Sequence, residues 1–281
     1  MEHCLVVLKG YFDGAKTPDK SRITLAAALG TCDQWTPAES AWEEVRRIHN
    51  APPLHTTDAI GLHKDFSAKN GWNNDRVDDF ISACIDVIEQ HIVIPSSLLV
   101  PDSSGRGLQK GISRNGLNIF TFTIPVGDYK KARKIVSGLP ANCTEICMTE
   151  TLGLVFRWGR RLGAEYYELF FDQNEPFYGH FCDRRYNRKP RKEIAPMEKV
   201  VHSGQLNSKV SPALQMADLF AWCTNHINDV RRDWHRRLNY LPWDSLILDE
   251  KLLLKPIPGA LERAEAWNLP KRNKDRWSSG L

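Results

Sequence analysis

One carboxylate, Asp218, is set inside SPALQMADLF (residues 211–220), an otherwise apolar, helix-forming stretch. An acid placed there needs a partner, because an uncompensated charge in apolar surroundings is costly. Two apolar runs earlier in the chain supply it: CLVVLKGYFD ends at Asp13 and YYELFFD ends at Asp172. Taken singly, each of these aspartates also reads as an ordinary turn-initiating or helix-capping residue. Brought together with Asp218 they would repel unless a cation neutralised them. Hard oxygen ligands without clustered Cys or His favour Mg2+ or Mn2+ over Zn2+. Two such ions about 4 Å apart would clamp the attacking and leaving oxygens of a phosphodiester.

The elements that must carry these acids follow an α/β order. Residues 5–13 and 23–30 predict a hairpin joined by the polar DGAKTPDKS. Thr36, with Glu39 three residues on, predicts a capped helix start with Trp42, Val45 and Ile48 on one face, ending before Pro52. Val77, Phe80, Ile81, Cys84, Ile85 and Ile88 recur at helical spacing over residues 75–90. IVIPSSLLVP then reads as an edge or bulged strand. Residues 103–116 form a glycine-rich loop without phosphate-loop or dinucleotide spacing. NIFTFTIP predicts the next strand, with helices near 128–137 and 144–162, strands at 166–172 and 199–206, and a helix over 211–225 that carries Asp218. His202 and Ser203 read as the end of their strand. Residues 1–228 make one domain, and 229–281 a basic, Trp-rich, helical and irregular extension packed on it.

A chain of 281 residues with 42% hydrophobic content can bury a full core. Its net charge of +4 conceals an asymmetry: residues 1–100 carry 9 Lys+Arg against 14 Asp+Glu, and the remainder 29 against 20. The excess lies in RRYNRKPRK, VRRDWHRR and KRNKDR. Such clusters suit a polyanion, although each is equally an ordinary solvated surface. Arg184, Arg185, Arg188, Lys189, Arg191 and Lys192 are the candidate contacts to a nucleic-acid backbone, and Tyr186 and Trp234 the candidate base-stacking rings. The seven cysteines are scattered and read as reduced core thiols; Cys143 and Cys147 lack a second ligand pair for zinc. No apolar run approaches the roughly 20 residues of a membrane span, and the start lacks the pattern of an export signal. The expectation is a soluble, cytoplasmic protein with no membrane partner.

YFDG, the HTTD segment with its flanking tryptophans, FFD, and the pattern Ser211, Leu214, Gln215, Ala217, Asp218, Leu219 together resemble the domain of unknown function 3800 family over residues 5–228. That resemblance implies an RNase H-like fold, a mixed sheet flanked by helices, here with a helical insertion at about 36–91 and the basic C-terminal extension. It implies acids on the first strand, on the helix before the fourth strand, at the end of that strand and on the last helix. Asp13, Asp172 and Asp218 match three of these places, and Glu150 is preferred for the other over Glu145 and Glu175. Family members carry an Asp-Glu-Ser-Gly run where this chain has Asp13, Gly14 and Ala15. By the same resemblance His55 and Asp58 face the active site, to ligate, move protons or contact the scissile phosphate, or else simply to shape their loop. The implied function is a Mg2+- or Mn2+-dependent nuclease or phosphodiesterase acting on DNA or RNA. The alternative is a non-catalytic nucleic-acid-binding or assembly module.

Overall fold

The computed structural model describes residues 6–92, 116–136, 139–173, 175–187, 197–226, 232–240 and 244–247. Strands β1 (Val7–Lys16), β2 (Arg22–Gly30) and β3 (Asn118–Pro125) form an antiparallel meander. β4 (Tyr166–Asp172) lies parallel to β1, and β5 (Val200–Leu206) parallel to β4. With the short β6 (Asp244–Ile247) parallel to β3, the order across the sheet is β5-β4-β1-β2-β3-β6. β1 is therefore central, and its two-residue alternation decides which side chains meet which layer.

Phe12, Leu25, Ala27, Phe122, Leu169 and Phe171 point into one core, roofed by α4 (Val126–Ile135), α5 (Cys143–Leu162) and α6 (Phe177–Cys182). Tyr11, Ala26, Ala28 and Ile119 point into the other. There α7 (Pro212–Asn225) crosses β1 and β2, and Ala26 and Ala28 leave room for it to lie close. Outside α7 lie α1 (Cys32–Ile48), the short α2 (Thr56–Ile60) and α3 (Asn74–His91). Being covered on both sides, α7 is buried at every position, which explains a helix that is apolar all round.

Within the described residues the expected strands and helices are present, with three differences. α1 begins at Cys32 instead of Thr36, because Thr31 and Gln34 make the capping box; the Thr31 N–H donates to Gln34 Oε1 at 2.8 Å. Pro37 then falls inside the helix. His202 and Ser203 lie within β5 and do not end it. Beyond residue 228 the chain forms α8 (Asp233–Tyr240) and then gives β6 to the sheet, so part of the expected appendage belongs to the core architecture. The expected IVIPSSLLVP strand beyond Ile92 and the glycine-rich loop up to residue 115 fall outside the described residues. Cys84, Cys147 and Cys223 are buried free thiols, whereas Cys32 is exposed in the first turn of α1. Among the described residues no helix is long and apolar enough to cross a membrane.

Candidate functional site

Strand parity brings the first two acids together. Tyr11 and Phe170 stack on the α7 face, with ring centroids 5.4 Å apart, and Phe12 pairs with Phe171 on the opposite face. One residue further, Asp13 and Asp172 therefore return to the α7 face on adjacent strands. Asp218 reaches the same place from α7. Their exposures are 6%, 5% and 6%, so three carboxylates are almost wholly withdrawn from water.

The consequences show in their protonation. Burial pushes the Asp13 carboxyl well above the usual carboxylate range, and the charges of Asp218, Asp172 and Glu175 push it further; the Gly14 N–H, 2.7 Å from Oδ1, opposes this. Asp218 is also raised, by burial first; the charge of His55 and the N–H of Thr56 hold it down, while Asp172 adds to the rise. Glu175 joins the group from the turn after β4. Burial lifts it from 4.5 to about 7, with Lys16 opposing and Asp172 and Asp218 reinforcing. Its Oε2 is shut off from solvent and has no hydrogen-bond partner among the described residues. Gly14 makes room for this arrangement. A Cβ there would stand 2.4 Å from the Phe177 ring and 3.2 Å from Glu175 Oε2.

The acids are neighbours in charge, but they do not converge on a common centre. Among the described residues no group of three or more His, Cys, Asp or Glu side chains is arranged to hold a metal ion. Each of the three aspartates already accepts a bond from the backbone, Asp13 from the Gly14 N–H. Asp218 Oδ2 accepts from Thr56 N at 2.6 Å, and Asp172 Oδ1 accepts from Ser208 N at 3.3 Å. In donor chemistry the set fits a hard divalent cation: three buried carboxylates and, beside them, one enclosed Glu175 oxygen with no hydrogen-bond partner among the described residues.

Glu150 is placed elsewhere. It lies on α5, which packs on the opposite face of the sheet from α7, and its charge acts on Cys147 one turn away. The leading charges on Asp13 are Asp218, Asp172 and Glu175. Its competitor Glu175 is thus the glutamate that the structure brings to the aspartates. The sequence signal was available in its position three residues past Asp172.

His55 and Asp58 form a local unit at the start of α2. His55 Nδ1 lies 3.1 Å from Asp58 Oδ2, and Lys64 Nζ lies 2.9 Å from the same oxygen. Leu62 and Lys64, both non-glycine, have positive φ of 53° and 46°, so this loop carries backbone strain next to the acids. α7 anchors the loop through two side chains one helical turn apart. Asp218 takes the Thr56 N–H. The fully buried Gln215 accepts from Trp42 Nε1 at 2.9 Å and Leu54 N at 3.0 Å, and donates to Ser208 O at 2.9 Å. Gln215 was legible only as part of a motif; its role as the clamp between α1, the loop and β5's exit needed the structure.

The described arginines of the basic clusters are committed within the chain, and the cluster at residues 271–276 lies outside the described residues. Arg185 donates to Val200 O at 2.6 Å and to Ser203 Oγ at 3.3 Å, with Tyr186 exposed beside it at 5.2 Å, so its guanidinium ties the Asp183–Asn187 turn to β5. Arg188, Lys189, Arg191, Lys192 and the side chain of Arg184 lie outside the described residues. On α8, Arg232 bonds Asp78 and Asn74, and Arg237 bonds Asp86 and Glu89. Trp234 is buried at 1% exposure, its Nε1 donating to Asp78, and is not a base-stacking surface. Arg232 and Arg237 thus meet acids of α3 at the α3–α8 contact. Compared with known proteins, the chain matches no family model, no curated protein and no solved structure.

Proposed function

We propose that this chain is a divalent-cation-dependent phosphodiester hydrolase acting on nucleic acid, built on an RNase H-like fold. The carrying observation is the meeting of three buried carboxylates, Asp13, Asp172 and Asp218, on one sheet face, with Glu175 at the strand ends close enough for its charge to act on Asp13. The strand order, with β1 central, antiparallel to β2 and parallel to β4, supports the fold reading. So does a last helix that crosses β1 with an inward acid. Glu175 bears on the departure at Gly14. It lies against the glycine that stands where family members carry their second acid, so a fourth carboxylate enters the same space from another strand end.

Asp13, Asp172, Asp218 and Glu175 are the residues that would hold Mg2+ or Mn2+. When bound, the cation supplies neutralisation of the charge that develops on the phosphodiester oxygens. The chain's own part is positioning. Gln215 and the Thr56 N–H fix the loop against α7, and the Asp58 carboxylate orients His55 beside Asp218. Lys16 and Lys64 are cations at the margins of the acid group.

The test is incubation of the purified protein with labelled single- and double-stranded DNA, RNA and hybrid, in Mn2+, Mg2+ or EDTA, alongside Asp13→Asn, Asp172→Asn and Asp218→Asn. Cation-dependent cleavage lost in each variant is expected. Absence of cleavage of every substrate, or cleavage that Asp13→Asn leaves unchanged, overturns the proposal. A second reading, a non-catalytic nucleic-acid-binding or assembly module, draws on the backbone bonds that already occupy Asp172 and Asp218. It predicts salt-dependent binding without a cation requirement, undiminished in Asp218→Asn.

A further inference from the structure

Next to the acids, the α7 face of the sheet continues onto β4 and β5, where Phe170 and Asp172 on β4 adjoin His202, Gly204 and Leu206 on β5. Phe170 is only partly buried. Its ring stacks on Tyr11 at 5.4 Å and meets the His202 ring, also at 5.4 Å, tilted by 46°. His202 is exposed. Gly204, paired with Phe170, adds no side chain, and a Cβ there would find only His202 Nε2, at 4.0 Å. Glycine in a strand often marks a bulge, a bend or a place where a ligand or another backbone comes close, and the space beside Gly204 is open. The result is a ring-lined floor with open space above it. Along β4 this floor runs into Asp172, two residues and about 7 Å beyond Phe170.

We infer that Phe170 and His202 form a stacking platform for a base of single-stranded nucleic acid, seating the strand so that its backbone passes the acids. The inference rests on the nucleic-acid reading of the acid site. The occupant follows from the chemistry of the floor: two aromatic rings, with Lys9 on the same face already paired with Glu168 at 3.6 Å. Such a surface recognises a flat ring and not a phosphate. Stacking of this kind is tolerant of sequence.

The experiment measures binding of a labelled thymidine oligomer and of an abasic oligomer of equal length, in EDTA, to wild type, Phe170→Leu, His202→Ala and the double variant. Cleavage in Mn2+ is followed in parallel, and urea melts control for folding. Wild type is expected to prefer the base-bearing oligomer by about tenfold, and the double variant to lose that preference. Preference without cleavage keeps the platform and removes the hydrolase. Cleavage with no preference for bases, or a preference intact in the double variant, overturns the platform and leaves the hydrolase standing. Wild type binding neither oligomer also overturns the platform.

Discussion

Replacing Glu175 by Gln tests the electrostatics of the acid group without any substrate. Gln keeps the volume against Gly14 and Phe177 but cannot ionise. Glu175 is raised from 4.5 to about 7 on folding. Between these values the folded chain binds more protons than the unfolded one, so stability falls as pH rises through that window. The shift is 7 minus 4.5, or 2.5 units, which at about 1.4 kcal/mol per unit makes at most about 3 kcal/mol. That penalty is absent below pH 4.5 and complete above 7. Glu175→Gln should therefore match wild type near pH 4 and exceed it by up to about 3 kcal/mol at pH 8. Asp13, which feels Glu175 directly, shifts in the same direction and adds to the difference. Urea denaturation from pH 4 to 8.5 in EDTA reads this out. Adding Mn2+ at pH 8 should then stabilise wild type more than the variant, since a cation relieves the repulsion that the variant has already lost. Parallel pH curves for the two proteins would refute the reasoning, because Glu175 would then ionise alike in the folded and unfolded chains.

Gln215→Leu strands the buried Trp42 Nε1–H and Leu54 N–H, while the half-buried Ser208 carbonyl can turn to water. At about 1–3 kcal/mol for each buried donor, the loss is about 2–6 kcal/mol of a typical total of about 5–15. Urea melts check it, and a loss below about 1 kcal/mol contradicts the clamp. At the α3–α8 contact, the arginine pairs are partly exposed and worth about 0–1 kcal/mol each, whereas the buried Trp234 is worth about 3–5 when cut to Ala. Trp234→Ala should therefore destabilise far more than 1 M NaCl does. Equal effects in the same melts would show that charge, not packing, holds α8.

Asp13, Asp172 and Asp218 were legible because each breaks a local rule, an acid at the end or in the middle of an apolar run, and such breaks concentrate where a site is built. The basic clusters obeyed no such rule. Whether Arg232 and Arg237 face a polyanion or the acids of α3 depends on partners more than 140 residues away. Glu150 and Glu175 stood as alternatives for the same reason, since their places are set by which face of the sheet α5 and the β4 exit occupy.

By itself the sequence determined the order of the main elements from β1 to α7, the parity that sends Tyr11 and Asp13 to one face and Phe12 to the other, and the apolar helix with one acid inside it. These are local properties, fixed by periods of 2 and 3.6 residues. Only the tertiary structure decided that Glu175 joins the aspartates, that Asp218 and Gln215 also anchor the loop, and that Arg232 and Arg237 pair with acids of α3. Each of these depends on pairs distant in sequence, and the energy of such a pair exists only once the sheet has brought its members together.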